Sequence, residues 1–168
     1  MSGIKIVEYG TKLTEAMVLL RNAKHSVPAL MLCFAAIDQM SWLSIPKERS
    51  NGADFKTWVS KFVLPNLAGD VTASELWEAR NGLLHMGTAE SDANRRDKTI
   101  RKVYYTIGGV ACTRNDAPDV TFLDTDELYK VFGASVFWFV EDLESNPDQL
   151  SIALNKLGRM FSQRDLPN

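Results

Sequence analysis

An unbroken apolar run, Val27 to Ile37 (VPALMLCFAAI), constrains this chain more than any other stretch. It falls well short of the roughly 20 residues needed to cross a bilayer. Other parts of the chain must therefore cover it. Pro28 suits the first turn of a helix, where its missing N–H would have no partner in any case. The pattern continues through ALMLCFAAIDQMSWL, which predicts a buried helix and no membrane segment.

The material to cover that helix has helical periodicity too. Leu13, Ala16, Met17 and Leu20 recur at helical spacing and predict a first helix from Thr11 to about Lys24. After IPKERSNGAD breaks the pattern, Phe55, Trp58, Val59, Phe62 and Val63 form a stripe that ends at Pro65, a third and shorter helix. Thr72 or Ser74 can cap a fourth, with Glu75 completing a capping box three residues after Thr72. Asp124 with Glu127 opens a strongly apolar helix through ELYKVFGASVFWFVEDLE. Asn146 at the cap and Pro147 at the first position open the last. Between these, RKVYYTIGG and DVTFLD flank TRNDAPD and read as a small β-hairpin over about 100–124. The expectation is a mainly α up-and-down bundle with an inserted hairpin, one domain over 1–168.

At 168 residues the chain can bury about 68–70% of its unfolded surface, so a core alone can hold it. Hydrophobic content of 45% and charged content of 24% are ordinary globular values. A net charge of -2 with pI near 5.7 argues against coating nucleic acid by bulk electrostatics, so any such contact must be local. Cys33 and Cys112 lie far apart in differently patterned segments and read as inert, reduced thiols. The opening MSGIKIVEYG has no basic stretch before a long apolar core, which predicts no secretory signal and a cytoplasmic protein.

The segment ELWEARNGLLHMG gathers Arg80, Asn81 and one of only two histidines, His85, on the fourth helix. Histidine can take a proton from a ribose 2′-OH or give one to a leaving 5′-oxygen near neutral pH. Arginine offers a planar fork for phosphate oxygens and for the charge of the transition state. An asparagine amide can orient the histidine or donate to the phosphate. The set suits RNA transesterification without metal or cofactor. At about 100° per residue Asn81 and His85 share a face, while Arg80 and His85 diverge by about 140°. The residues alone equally allow a surface ion pair from Arg80 to Glu78 or Glu90 and a satisfied histidine near a helix C-terminus.

Arg80-Asn-Gly-Leu-Leu-His85 resembles the R-x4-6-H motif of HEPN-domain proteins, including the polar residue after the arginine. The ordered set ALMLCFAAIDQMSWLS, FKTWVSKFVLP and ELWEARNGLLHMGTAES is similar to small bacterial and phage HEPN-like proteins over roughly Thr11 to Ser91. The resemblance implies a metal-independent endoribonuclease, a toxin or defence effector, with Arg80 and His85 catalytic and Asn81 supporting. It also implies a homodimer in which Arg80 of one subunit works with His85 of the other, and allows a neutralising antitoxin. The alternative it leaves is a non-catalytic RNA-binding or protein-interaction module. HEPN toxins paired with a nucleotidyltransferase-like antitoxin often carry a tyrosine two residues after the histidine, where this chain has Gly87, so modification of that tyrosine is not implied.

Beyond the motif, NRRDKTIRK is the one basic cluster, with Arg95, Arg96 and Lys98 as candidates to guide an RNA backbone and Arg101 and Lys102 beside them. A solvated charged face is the other reading. Trp42, Trp58, Trp77 and Trp138 fit apolar stripes and are assigned to the core, and His25 to the surface. Neither C-x-x-C nor H-x-x-x-H nor a phosphate-loop pattern is present, so neither a zinc site nor nucleotide hydrolysis is expected.

Overall fold

The structure, a computed structural model, describes residues 2–87, 91, 96–97, 99–108 and 118–160. It is mainly helical. Helix α1 is Ile4–Asn22, α2 Ser26–Leu43, α3 Gly52–Trp58 and α4 Ala73–Asn81; strands β1 Lys102–Thr106 and β2 Val120–Asp124 follow, then α5 Thr125–Glu144 and α6 Pro147–Met160. Helix α1 starts earlier than its periodic stripe suggested, because Ile6 is fully buried in the same core.

Helix α2 has the length and apolarity of a membrane span, but half of it is buried inside the protein. Ala29, Cys33, Phe34, Ala36, Ile37 and Met40 are all fully buried, and α1 and α5 both pack on this helix. Burial of Phe34, Ile37 and Met40 contributes about 1.5–3 kcal/mol each. A second aromatic layer joins α3 to α5, with Trp58 at 6.0 Å from Phe139 and 5.5 Å from Phe62, ring centre to ring centre. The expected caps form. Thr72 accepts from Glu75 N–H while Glu75 accepts from Thr72 N–H, Asp124 accepts from Glu127 N–H, and Asn146 accepts from Gln149 N–H.

The hairpin is corrected. Strands β1 and β2 run parallel, with Lys102 opposite Val120 and Thr106 opposite Asp124. Val103, Thr121 and Leu123 are buried on the inward face and Tyr104 is exposed on the other. Alternation reveals a strand but not its direction, which depends on the connection. The 13 residues between Thr106 and Val120 meet the dozen or more that a parallel crossover needs.

Two helices widen before they end. Helix α3 runs on into a π turn at Val59–Val63 and a 3₁₀ turn at Leu64–Asn66, while α4 runs on into a π turn at Gly82–Met86. The second turn closes with Gly87 N–H donating to Gly82 C=O, five residues back. Gly87 has φ +63°, a left-handed conformation that glycine adopts without the steric penalty of a side chain. A tyrosine at this position would be strained.

Candidate functional site

The π turn decides the geometry of the motif. An α-helix would turn Arg80 and His85 about 140° apart. Bonding from i to i+5 spreads the same rotation over more residues and brings positions five apart together. Arg80 Nη1 lies 2.7 Å from His85 Nε2. The two residues meet within one chain, against the expectation that they diverge by about 140°.

Guanidinium nitrogens only donate, so the contact calls for His85 Nε2 as acceptor, which is the tautomer with its proton on Nδ1. The ring is exposed, while Arg80 and Asn81 are half-buried. Asn81 does not orient the histidine through its oxygen, because Asn81 Oδ1 accepts from Arg80 Nη1 at 3.0 Å. Glu90 lies outside the described residues, and within them Arg80 does not pair with Glu78. Its Nε and Nη2 donate to Asp38 Oδ2 on α2, at 2.8 and 2.6 Å. Burial lifts the Asp38 carboxyl above the usual carboxylate range against the pull of Arg80.

Beneath the guanidinium lies Trp77, one turn earlier on α4, with its ring 5.1 Å from Arg80 Cζ. Phe55 packs on that ring at 5.2 Å. Gly52 approaches it so closely that an added Cβ would stand 2.7 Å from the indole. Core packing thus fixes a tryptophan, the tryptophan supports an arginine, and the arginine meets a solvent-facing imidazole. The sequence reading missed Asp38, although it is the one charged side chain in an otherwise uncharged helix of 18 residues. That isolation was the available signal.

The basic cluster divides. Arg96 is exposed, and Arg95 and Lys98 lie outside the described residues. Arg101 is withdrawn from any guiding role, because its guanidinium grips Glu75 at 2.6 and 3.1 Å and the Asp70 carboxylate at 2.8 Å. Glu75 is 3% exposed and sits in the first turn of α4, so this pair anchors the helix that carries Arg80. Among the tryptophans, Trp58 is core, Trp42 and Trp77 are half-buried, and Trp138 is 37% exposed, which corrects its assignment to the core. His25 is exposed, as expected. Cys33 is fully buried, its thiol pushed up by that burial, and Cys112 lies outside the described residues.

No known protein family, curated protein or solved structure matches this chain.

Proposed function

We propose that the protein is a metal-independent endoribonuclease with Arg80 and His85 as its catalytic pair. The observation that carries this reading is the 2.7 Å contact between Arg80 Nη1 and an exposed, proton-accepting His85 Nε2. A phosphate seated between the two groups would replace that contact. His85 Nε2 takes the proton from the ribose 2′-OH as the 2′-oxygen bonds to phosphorus and the bond from phosphorus to O5′ breaks. The same ring then returns the proton to the leaving 5′-oxygen. Arg80 stabilises the charge gathering on the phosphoryl oxygens, and Asn81 holds Nη1 from its other side. Arg96, with Arg95 and Lys98, is proposed to attract the RNA backbone.

The HEPN-like setting is part of the proposal: a cytoplasmic toxin or defence effector, homodimeric and open to a neutralising antitoxin. A second copy is supported by Val27 and Met31, which are 58% and 37% exposed. At helical spacing they fall on the same side of α2 as Asp38, beside the site. Met31→Glu would then yield a monomer by mass measurement.

The test is a mixed RNA pool in EDTA. Cleavage should persist and leave 2′,3′-cyclic phosphate and 5′-hydroxyl ends, and a 2′-deoxy nucleotide at the scissile position should block it. His85→Ala should lose about 10²–10⁴-fold, and Arg80→Lys should also fail because an ammonium has no bidentate fork. Full activity in His85→Ala, or metal-dependent cleavage leaving 5′-phosphates, refutes the mechanism. A second reading, a non-catalytic RNA-binding or protein-interaction module, is favoured by the number of Arg80 donors already spent on Asp38, Asn81 and His85. RNA binding with no cleavage on diverse RNAs selects it.

A further inference from the structure

One carboxylate at the site takes no part in the proton transfer. Arginine presents five N–H donors in a planar fork, and the edge it offers a ligand depends on what holds the other edge. Asp38 holds the Nε and Nη2 edge through a single oxygen, at 2.8 and 2.6 Å. Nη1 is thereby aimed at Asn81 and at the ring nitrogen of His85. The backbone that carries Asp38 is fixed, because its neighbours Ile37 and Met40 are fully buried in the core. Only the short aspartate side chain separates that frame from the guanidinium.

We propose that Asp38 is a positioning residue that fixes Arg80 relative to His85, an inference that rests on the nuclease reading of that pair. The lone pair that must accept the 2′-OH proton is the one Arg80 Nη1 occupies. An entering phosphate must part the two groups. With its far edge held by Asp38 and its face on Trp77, the guanidinium stays in place while the contact with His85 gives way. Keeping this carboxylate charged is costly where it sits, since burial works against its ionised form. A residue serving packing alone would be better apolar.

The test uses the full-length chain in two variants, Asp38→Ala and Asp38→Asn, the second keeping a side-chain oxygen should the first fail to fold. The chain has only two histidines, so the His85 ring nitrogens can be assigned in a long-range ¹H–¹⁵N correlation spectrum with His25→Gln as reference. We expect wild type to show a neutral ring protonated on Nδ1, with Nε2 shifted by the hydrogen bond it accepts. Asp38→Ala should lose that shift and Asp38→Asn should lose part of it. An unchanged ring spectrum in both variants overturns the positioning role, whatever the RNA assay gives. On a single-stranded RNA that wild type cleaves, Asp38→Ala should lower kcat by about 10²-fold with KM changed little, as expected for a displaced catalytic group. A loss confined to KM, or unchanged turnover, overturns it. Spectral changes alongside absence of cleavage by wild type would sustain the placement of Arg80 and remove the nuclease reading.

Discussion

Removing Arg101 tests whether the basic segment after the motif is structural at its inner end. The Arg101 side chain is 12% exposed and gives Glu75 two hydrogen bonds, at 2.6 and 3.1 Å. It gives Asp70 two more, one to the carboxylate and one to the carbonyl, both at 2.8 Å. Arg101→Ala takes both side-chain donors from Glu75, which is only 3% exposed and keeps the Arg101 backbone N–H at 3.3 Å. Breaking one side of a buried pair costs about 3–5 kcal/mol. Two features place this case at the low end. Glu75 keeps its bond from Thr72 N–H at 2.7 Å, and the Asp70 side chain, at 42% exposure, recovers its loss from water. A destabilisation of about 3 kcal/mol is expected, or a fall in Tm of about 6–12 °C for a domain of this size. Urea unfolding followed by circular dichroism measures it. Arg96→Ala, at an exposed site, should stay within about 0.5 kcal/mol of wild type. The double variant Arg101→Ala/Glu75→Gln should recover part of the loss, because a glutamine can still close the capping box without a stranded charge. Arg101→Ala at wild-type stability, or a double variant less stable than the single, would refute the anchoring argument.

Gly52→Ala drives a methyl to 2.7 Å from the Trp77 ring, so it should cost about 1–3 kcal/mol and, on the proposed nuclease reading, depress cleavage by shifting the floor under Arg80. Wild-type turnover in a folded Gly52→Ala would contradict that coupling. Lys156, 2% exposed, donates to the carbonyls of Trp42, Ile45 and Lys47 at 2.6–2.9 Å. Lys156→Met should therefore destabilise by about 2–4 kcal/mol by leaving acceptors unpaired, and an unaltered urea midpoint would count against it. Lys24 has φ +62° in the turn between α1 and α2; Lys24→Gly should stabilise by up to about 1 kcal/mol, read as a raised Tm. Burial raises the Asp38 carboxyl in the folded state, so the native protein holds that proton more tightly than the unfolded one. The associated stability is present below the unfolded pKa and lost as pH rises through the folded one. Relative to wild type, Asp38→Asn should thus gain stability as pH rises above the ordinary aspartate pKa of about 3.9, and an opposite trend in urea unfolding would reverse the assignment.

What the sequence made legible was local. The Thr72 and Glu75 capping box, the Asp124 cap and the Pro147 start are each written within four residues, and each forms. The failures are relational. Strand direction depends on how a 13-residue connection crosses, which alternation in KVYYT and VTFLD does not encode. Asp38 and Arg80 stand 42 positions apart, and Arg101 and Glu75 stand 26 apart. Charge runs and motif spacing report neighbours along the chain, whereas these partners are brought together by packing. The angle between Arg80 and His85 is hidden for another reason, since 3.6 residues per turn does not hold through a segment wound as a π turn.

The π turn at Gly82–Met86 also makes spacer length and helix winding exchangeable. Four residues separate Arg80 from His85, and the wide turn absorbs the surplus one. A chain with three intervening residues could bring the same two side chains together on an ordinary α-helix, because positions four apart already share a face. Losing one codon within this turn could therefore leave the pair in contact while rotating everything beyond it by about 100°. Gaining one would do the reverse. Insertions and deletions here act as a phase adjustment between α4 and the chain that follows, so a motif searched for at one fixed spacing would overlook sites with the same geometry and a different count.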